Sequence, residues 1–296
     1  MDLNSLVNKI DIKQGKENKA LDKYTENADK NREKLETLLS EFKEITNDNA
    51  APELWKDGEV DEYYNYINKK INNFEFDGKN LNLLLGNLPL YRINDIIINN
   101  HENTKFGLFL SALINKNLKA GEKVQITALM PIDYLFYKLE NAEAYVNKAG
   151  DYFGKDAKNS KIYAYETEVN AGCNVKNCEL HVRKAKNFLG RWAKNSKIYA
   201  DEAGDGAGWG MEGCELHVKK TTDWLGFKTI NSRIYTDEAG DFAGPFMQNS
   251  KLFIYELDGK LHGNCSTENN EVHLGKESYE KFPEYHGKVE IWEKTI

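Results

Sequence analysis

From Asn141 to about Asp258 the chain repeats itself every 18 residues, and this repeat restricts the possible folds more than any other property. Successive copies begin at Asn141, Asn159, Asn177, Asn195, Gly213, Asn231 and Asn249. With Asn159 as position one, positions two, four and six are small or apolar: Ser160, Ile162 and Ala164; Cys178, Leu180 and Val182; Ser196, Ile198 and Ala200; Cys214, Leu216 and Val218. Alternation with a period of two is a strand with one buried face. Position nine is Ala or Thr, and position fourteen is Gly each time: Gly154, Gly172, Gly190, Gly208, Gly226 and Gly244. A glycine recurring at one point of a stack implies a corner with positive φ or a close backbone approach.

Units this short cannot bury a face alone and contain no helix-length segment, so each must stack on the next as a parallel β-helix. The six-residue sub-period of left-handed hexapeptide helices is absent, so a right-handed, single-stranded form is expected. Outward positions carry a second, two-coil period. Position three runs Glu143, Lys161, Glu179, Lys197, Glu215, Arg233, and positions seven and eight alternate in the opposite phase, from Arg183-Lys184 to Asp201-Glu202 to Lys219-Lys220 to Asp237-Glu238. Adjacent coils thus set opposite charges side by side, and a slip by one coil sets like against like.

Outside the regular repeat the reading is coarser. Residues 1–76 are expected to be a helical region, with an amphipathic helix over 21–46 and a second over 60–73 paired as an antiparallel hairpin. The 74–90 stretch reads as strand and loop. Within a capping segment, 77–122, the apolar run 103–118 predicts a buried helix that plugs one end of the solenoid. The solenoid takes 123–296: Val124, Ile126 and Ala128 are placed where Ser160, Ile162 and Ala164 stand later, and the frame resumes after Asp258 at Asn269 and again at Lys288. The final strand is charged, as suits an exposed edge.

The chain has 296 residues, 40% of them hydrophobic, and a formal charge of -7. That balance argues against nucleic acid as a partner. No apolar run is long enough to cross a membrane and the first residues lack a charged-then-apolar signal pattern, so a cytoplasmic protein is expected. The four cysteines, Cys173, Cys178, Cys214 and Cys265, form no metal-site spacing. Cys178 and Cys214, two coils or about 10 Å apart, are too distant for a disulfide, so buried thiols are expected.

The units NSKIYADEAGDGAGWGMEGCELHV and NSRIYTDEAGDFAGPFMQNSKLFI resemble the Gly-rich repeat, AGDxxGxxM followed by GGxIxV, of a β-helix (GXGXG) domain family. That domain is shared by the C-terminal part of the glutamate synthase large subunit and by one of the subunits of formylmethanofuran dehydrogenase. The likeness covers about 123–255 and rests on Ala203, Gly204, Asp205, Gly208, Met211, Ala239, Gly240, Asp241, Gly244 and Met247. The chain departs from it with Asn-Ser or Gly-Cys in place of Gly-Gly and with many aromatic residues. In both relatives the domain packs against catalytic partners, so the resemblance implies a scaffold.

Two candidate sites follow from the outward positions. Position five is an aromatic column, Tyr145, Tyr163, His181, Tyr199, His217, Tyr235, Phe253 and later His273. It is either a docking face, with Tyr163, His181, Tyr199, His217 and Tyr235 as its binding residues, or a stacked ladder that stabilises the sheet. Position eleven places Asp205, Asp223 and Asp241 in consecutive coils, where they either hold a divalent cation or bond backbone N–H groups. No catalytic residue is assigned: there is no GxSxG, no phosphate loop, and the recurring serines suit a core that needs a small residue. No cofactor is expected. The function expected is a non-catalytic scaffold that binds a protein partner or itself; the alternative is a subunit of a redox complex or a hydrolase using the side of the β-helix.

Overall fold

Ten strands follow one another in chain order through a single all-parallel sheet, making a mainly β solenoid of about nine turns. The computed structural model describes residues 36–54, 59–71, 100–265, 269–286 and 288–293. The strands are β1 (Lys123–Ile126), β2 (Glu143–Ala149), β3 (Lys161–Thr167), β4 (Glu179–Ala185), β5 (Lys197–Ala203), β6 (Glu215–Thr221), β7 (Arg233–Ala239), β8 (Lys251–Leu257), β9 (Glu271–Gly275) and β10 (Glu290–Trp292). From β2 to β8 the register holds the 18-residue step, as in Glu179↔Lys197, His181↔Tyr199 and Lys184↔Glu202.

The chain divides into two compact units, Met1–Lys43 and Glu44–Ile296. Helix α1 covers residues 36–46 and buries Leu38, Leu39, Phe42 and Ile45, the stripe its periodicity requires. Helix α2 is Glu59–Lys70 and α3 is Asn100–Asn117. The expected helical residues 21–35 and the stretch 74–90 lie outside the described residues.

Between strands the backbone turns by repeated use of the left-handed region. In the coil from Asn177, Phe188, Gly190, Trp192 and then Asn195 have φ of 63°, 69°, 57° and 48°. Each inversion re-aims the peptide, so N–H groups bond alternately forward and back: Phe188 N to Asp205 O, Gly190 N to Ala171 O, Trp192 N to Trp209 O, each 2.8 Å. Asparagine recurs at position one because it tolerates this region better than other side chains. Position fourteen must be glycine because a side chain there would point inward, and a Cβ on Gly190 would lie 2.4 Å from Ile198 Cδ1.

The core repeats over two coils as well. Positions thirteen and seventeen face each other inside, and they exchange bulk from coil to coil: Phe153 with Ala157, Ala171 with Val175, Leu189 with Ala193, Ala207 with Met211, Leu225 with Thr229, Ala243 with Met247, all buried. Each layer therefore offers the next a bump where it has a hollow.

The first coil corrects one expectation. Lys123 pairs with Glu143 and Val124 with Ala144, which in turn pairs with Ile162, so Val124 holds the place of Ile162 and Ile126 that of Ala164. A period-two pattern is unchanged by a shift of two, which is why the sequence does not reveal it. The two extra residues precede Tyr134, and Asn147 clamps Ala128 there, accepting from its N–H at 2.7 Å and donating to its carbonyl at 2.9 Å.

Helix α3 covers this first coil. Ser111 donates to Tyr134 O (2.8 Å), Asn115 to Tyr137 O (2.8 Å) and Asn103 to Pro131 O (3.1 Å), which supplies partners to carbonyls that have no preceding coil. Helix α2 adds Tyr64, edge-on to Tyr137 at 5.1 Å, and Asp61, which accepts from the Tyr137 hydroxyl at 2.8 Å. At the far end, where two plain coils were expected, the chain after β9 forms helix α4 (Lys276–Lys281) and a short 3-10 turn (Pro283–Tyr285). Ser278 Oγ accepts from Leu257 N at 2.8 Å and Tyr285 OH from Leu261 N at 3.0 Å, so helical side chains finish this edge too.

Candidate functional site

The position-five column is one uninterrupted stack. Ring centroids from Tyr145 to Tyr163, His181, Tyr199, His217, Tyr235, Phe253 and His273 are separated by 4.6, 4.9, 4.6, 5.2, 4.6, 4.7 and 4.5 Å. Interplanar angles do not exceed 15°. Coil spacing is about 4.8 Å, so in-register rings must stack. Each ring is half-buried, with its faces turned to its neighbours and only its edge to solvent. Two of its three histidines also bond within their own strands: His181 Nε2 lies 2.7 Å from Glu179 and His217 Nε2 lies 2.6 Å from Glu215. These contacts hold both carboxyls below their ordinary range, the histidine bond being the largest cause. The geometry is that of a stabilising ladder.

The position-eleven carboxylates are not gathered into a cluster. Asp205 Oδ1 accepts from the Thr222 hydroxyl and, at 3.3 Å, from Asp223 N; Asp223 Oδ1 accepts from Asp241 N at 2.9 Å; Asp241 Oδ1 accepts from Lys260 N at 2.9 Å. Asn187 does the same for Asp205 N at 3.1 Å. Each side chain thus crosses to the next coil rather than bonding its own turn. The glycine of Gly-Asp makes room for it: a Cβ on Gly240 would lie 2.6 Å from Asp223 Oδ1. Among the described residues no group of three or more His, Cys, Asp or Glu side chains is placed to hold a metal ion.

Position two also has a role beyond size. Ser196 Oγ accepts from Cys178 N (3.1 Å) and Ser232 Oγ from Cys214 N (3.0 Å), while each donates to a carbonyl two residues back. The left-handed residue at position one turns that N–H away from the regular ladder, and a side-chain oxygen replaces the carbonyl. All four cysteines are buried and in no disulfide, and burial raises the Cys173 thiol to about 11.

A surface that the strand pattern misses lies on the corners, at positions twelve, fifteen and sixteen. There Trp192, Trp224, Phe242 and Phe246 are 44%, 37%, 44% and 45% exposed, and all four sit at position twelve or sixteen. Trp209 stacks on Phe227 at 3.9 Å and Trp224 on Phe242 at 4.9 Å; Phe188 meets Trp209 edge-on at 5.7 Å and Phe246 meets Phe227 edge-on at 5.6 Å. The Arg191 guanidinium lies 3.8 Å above Trp192, and Lys228 lies over Phe227. Gly206 and Gly210 make the face continuous, because the rings of Phe188 and Trp192 lie down over them; a Cβ at either would come within 2.7 Å of those rings. The sequence signal was the excess of aromatics over the Gly-rich repeat it resembles.

Among the described residues no helix is long and apolar enough to cross a membrane. No family model, no curated protein and no solved structure matches the chain.

Proposed function

We propose that the chain is a non-catalytic scaffold whose solenoid docks a protein partner through the aromatic corner face. The observation that carries this reading is the exposure of Trp192, Trp224, Phe242 and Phe246 on one run of corners, with the half-buried Trp209 in the coil between the first two, in a molecule whose other aromatic column is closed by stacking. Trp and Arg dominate the energetics of protein interfaces, and Arg191 on Trp192 supplies both. A partner of matching chemistry carries apolar anchors beside carboxylates that meet Arg191 and Lys228. The resemblance to a scaffolding β-helix domain supports the same reading, and four buried cysteines outside any disulfide suit a cytoplasmic location.

The test combines solution mass with capture. Wild-type protein is expected to hold one partner stoichiometrically, with Trp224→Ala plus Phe242→Ala losing it at an unchanged melting temperature. A Tyr199→Ala variant is expected to melt earlier yet keep the partner. A monomer that captures nothing, or capture indifferent to Trp224 and Phe242, refutes the proposal.

A further inference from the structure

We infer that the notch at Gly213 is a binding site for a phosphate or sulfate group. It is a surface depression of about 390 Å³, within the size range of small-molecule sites, roughly 300–1,000 Å³. It lies over positions one to three of neighbouring coils, apart from the aromatic face, so this inference stands or falls independently of the docking proposal.

The notch exists because one rung of a side-chain ladder is missing. At position one, Asn159 donates to Asn141 at 3.3 Å, Asn177 to Asn159 at 3.1 Å and Asn269 to Asn249 at 3.4 Å. Gly213 has the same left-handed backbone, φ 63°, but no side chain. Asn195 and Asn231 on either side of it therefore face an open space and line it.

Cations collect at the same place. Lys197, Arg233 and Lys251 line the notch at position three, with Glu215 between the first two. Glu215 is bonded by His217 at 2.6 Å, and Lys197 and Arg233, in register on either side of it, act on its carboxylate less than that histidine does. Lys251 shares Glu271 at 2.7 Å. The charge alternation also fails here and only here along the regular coils: Arg233 pairs with Lys251 in register, and Glu238 with Glu256. The core does not slip at this boundary, since Ala243 is followed by the bulkier Leu261 at position thirteen. The like-charged rung is thus not the scar of a lost coil. It sets two cations side by side at the rim of a cavity, an arrangement that a bound anion neutralises.

The donors suit an oxyanion with several oxygens. A guanidinium fork and two ammonium groups donate, and Arg with Lys favours phosphate or sulfate.

The experiment titrates the full chain calorimetrically with inorganic phosphate, inorganic sulfate and citrate. Three variants accompany it: Gly213→Asn, Arg233→Gln and Lys161→Gln. Asparagine already occupies this backbone at Asn195 and Asn231, and the nearest atom to a new Cβ is the movable Oδ1 of Asn195, so Gly213→Asn is expected to fold and to fill the notch. Lys161 occupies position three in an ordinary rung, paired with Glu179 at 3.2 Å. Phosphate or sulfate is expected to bind the wild type once per chain and raise its melting temperature. Affinity should fall about tenfold or more in Gly213→Asn and Arg233→Gln and stay unchanged in Lys161→Gln. Absence of wild-type binding, equal binding by Gly213→Asn, or equal loss in Lys161→Gln overturns the site. Binding of citrate alone overturns the ligand class.

Discussion

Asp223 does with a carboxylate oxygen what a carbonyl does elsewhere in the coil: it receives the N–H of Asp241 from the following turn at 2.9 Å. A neutral amide suffices for that, as Asn187 shows two coils earlier in the same column. Asp223→Asn is therefore expected to leave stability nearly unchanged, whereas Asp223→Ala should cost about 0.5–1.5 kcal/mol in denaturant unfolding by removing this exposed bond. Calcium should stabilise neither; a calcium-dependent rise in melting temperature lost in both variants would restore the metal reading. The backbone bond was one of two alternatives open in the sequence, but the partner's location in the next coil was not legible, because it depends on how corners stack. The aromatic face was hidden for a related reason. Period-two logic assigns in and out only to extended residues, and left-handed residues such as Phe188 and Trp192 reset the alternation in every corner.

The strands β2–β7 owe their register to columns of opposite charge. Lys184–Glu202 at 3.3 Å, Lys219–Asp201 at 2.6 Å and Lys220–Glu238 at 2.5 Å join neighbouring strands as the sequence implies. Exposed pairs contribute about 0.2–1 kcal/mol each, so specifying register is their larger effect. Their acid sensitivity has a definite sign. Glu179 and Glu215 are held down mainly by His181 and His217, and Glu271 mainly by Lys251. A carboxyl whose folded pKa lies below its unfolded value, about 4.3, stabilises fully above that value and loses the contribution as pH falls through the folded pKa. Melting temperature should hold between pH 6 and about 5 and fall below pH 4, with a shallower fall in Glu179→Gln plus Glu215→Gln. Asp133, raised mainly by burial, acts in the opposite direction and is expected to soften that decline. The strand elements were readable because their repeat is regular. The first strand was misplaced by two residues and α4 was unforeseen because irregular ends follow capping needs, not the repeat.

For the solenoid as a whole, the exchange of bulk between positions thirteen and seventeen has a consequence for its length. Coils come in two parities, and only unlike parities fit. Excising residues 195–212 would abut Glu179 with Glu215, Lys184 with Lys220 and Leu189 with Leu225, whereas excising 177–212 would abut Lys161 with Glu215, Glu166 with Lys220 and Ala171 with Leu225. The longer deletion should melt cooperatively; the shorter should be less stable than it by about 1–3 kcal/mol or more, the usual cost of overpacking. Excising 231–248 separates the causes, since it keeps Glu215 opposite Lys251 but sets Leu225 on Leu261. Thermal unfolding of the three deletions, followed by circular dichroism, reads the outcome directly. A chain of this kind is shortened or lengthened without penalty only by even numbers of coils, so its natural unit of insertion is the pair, and the length of its solenoid is set in steps of about 10 Å.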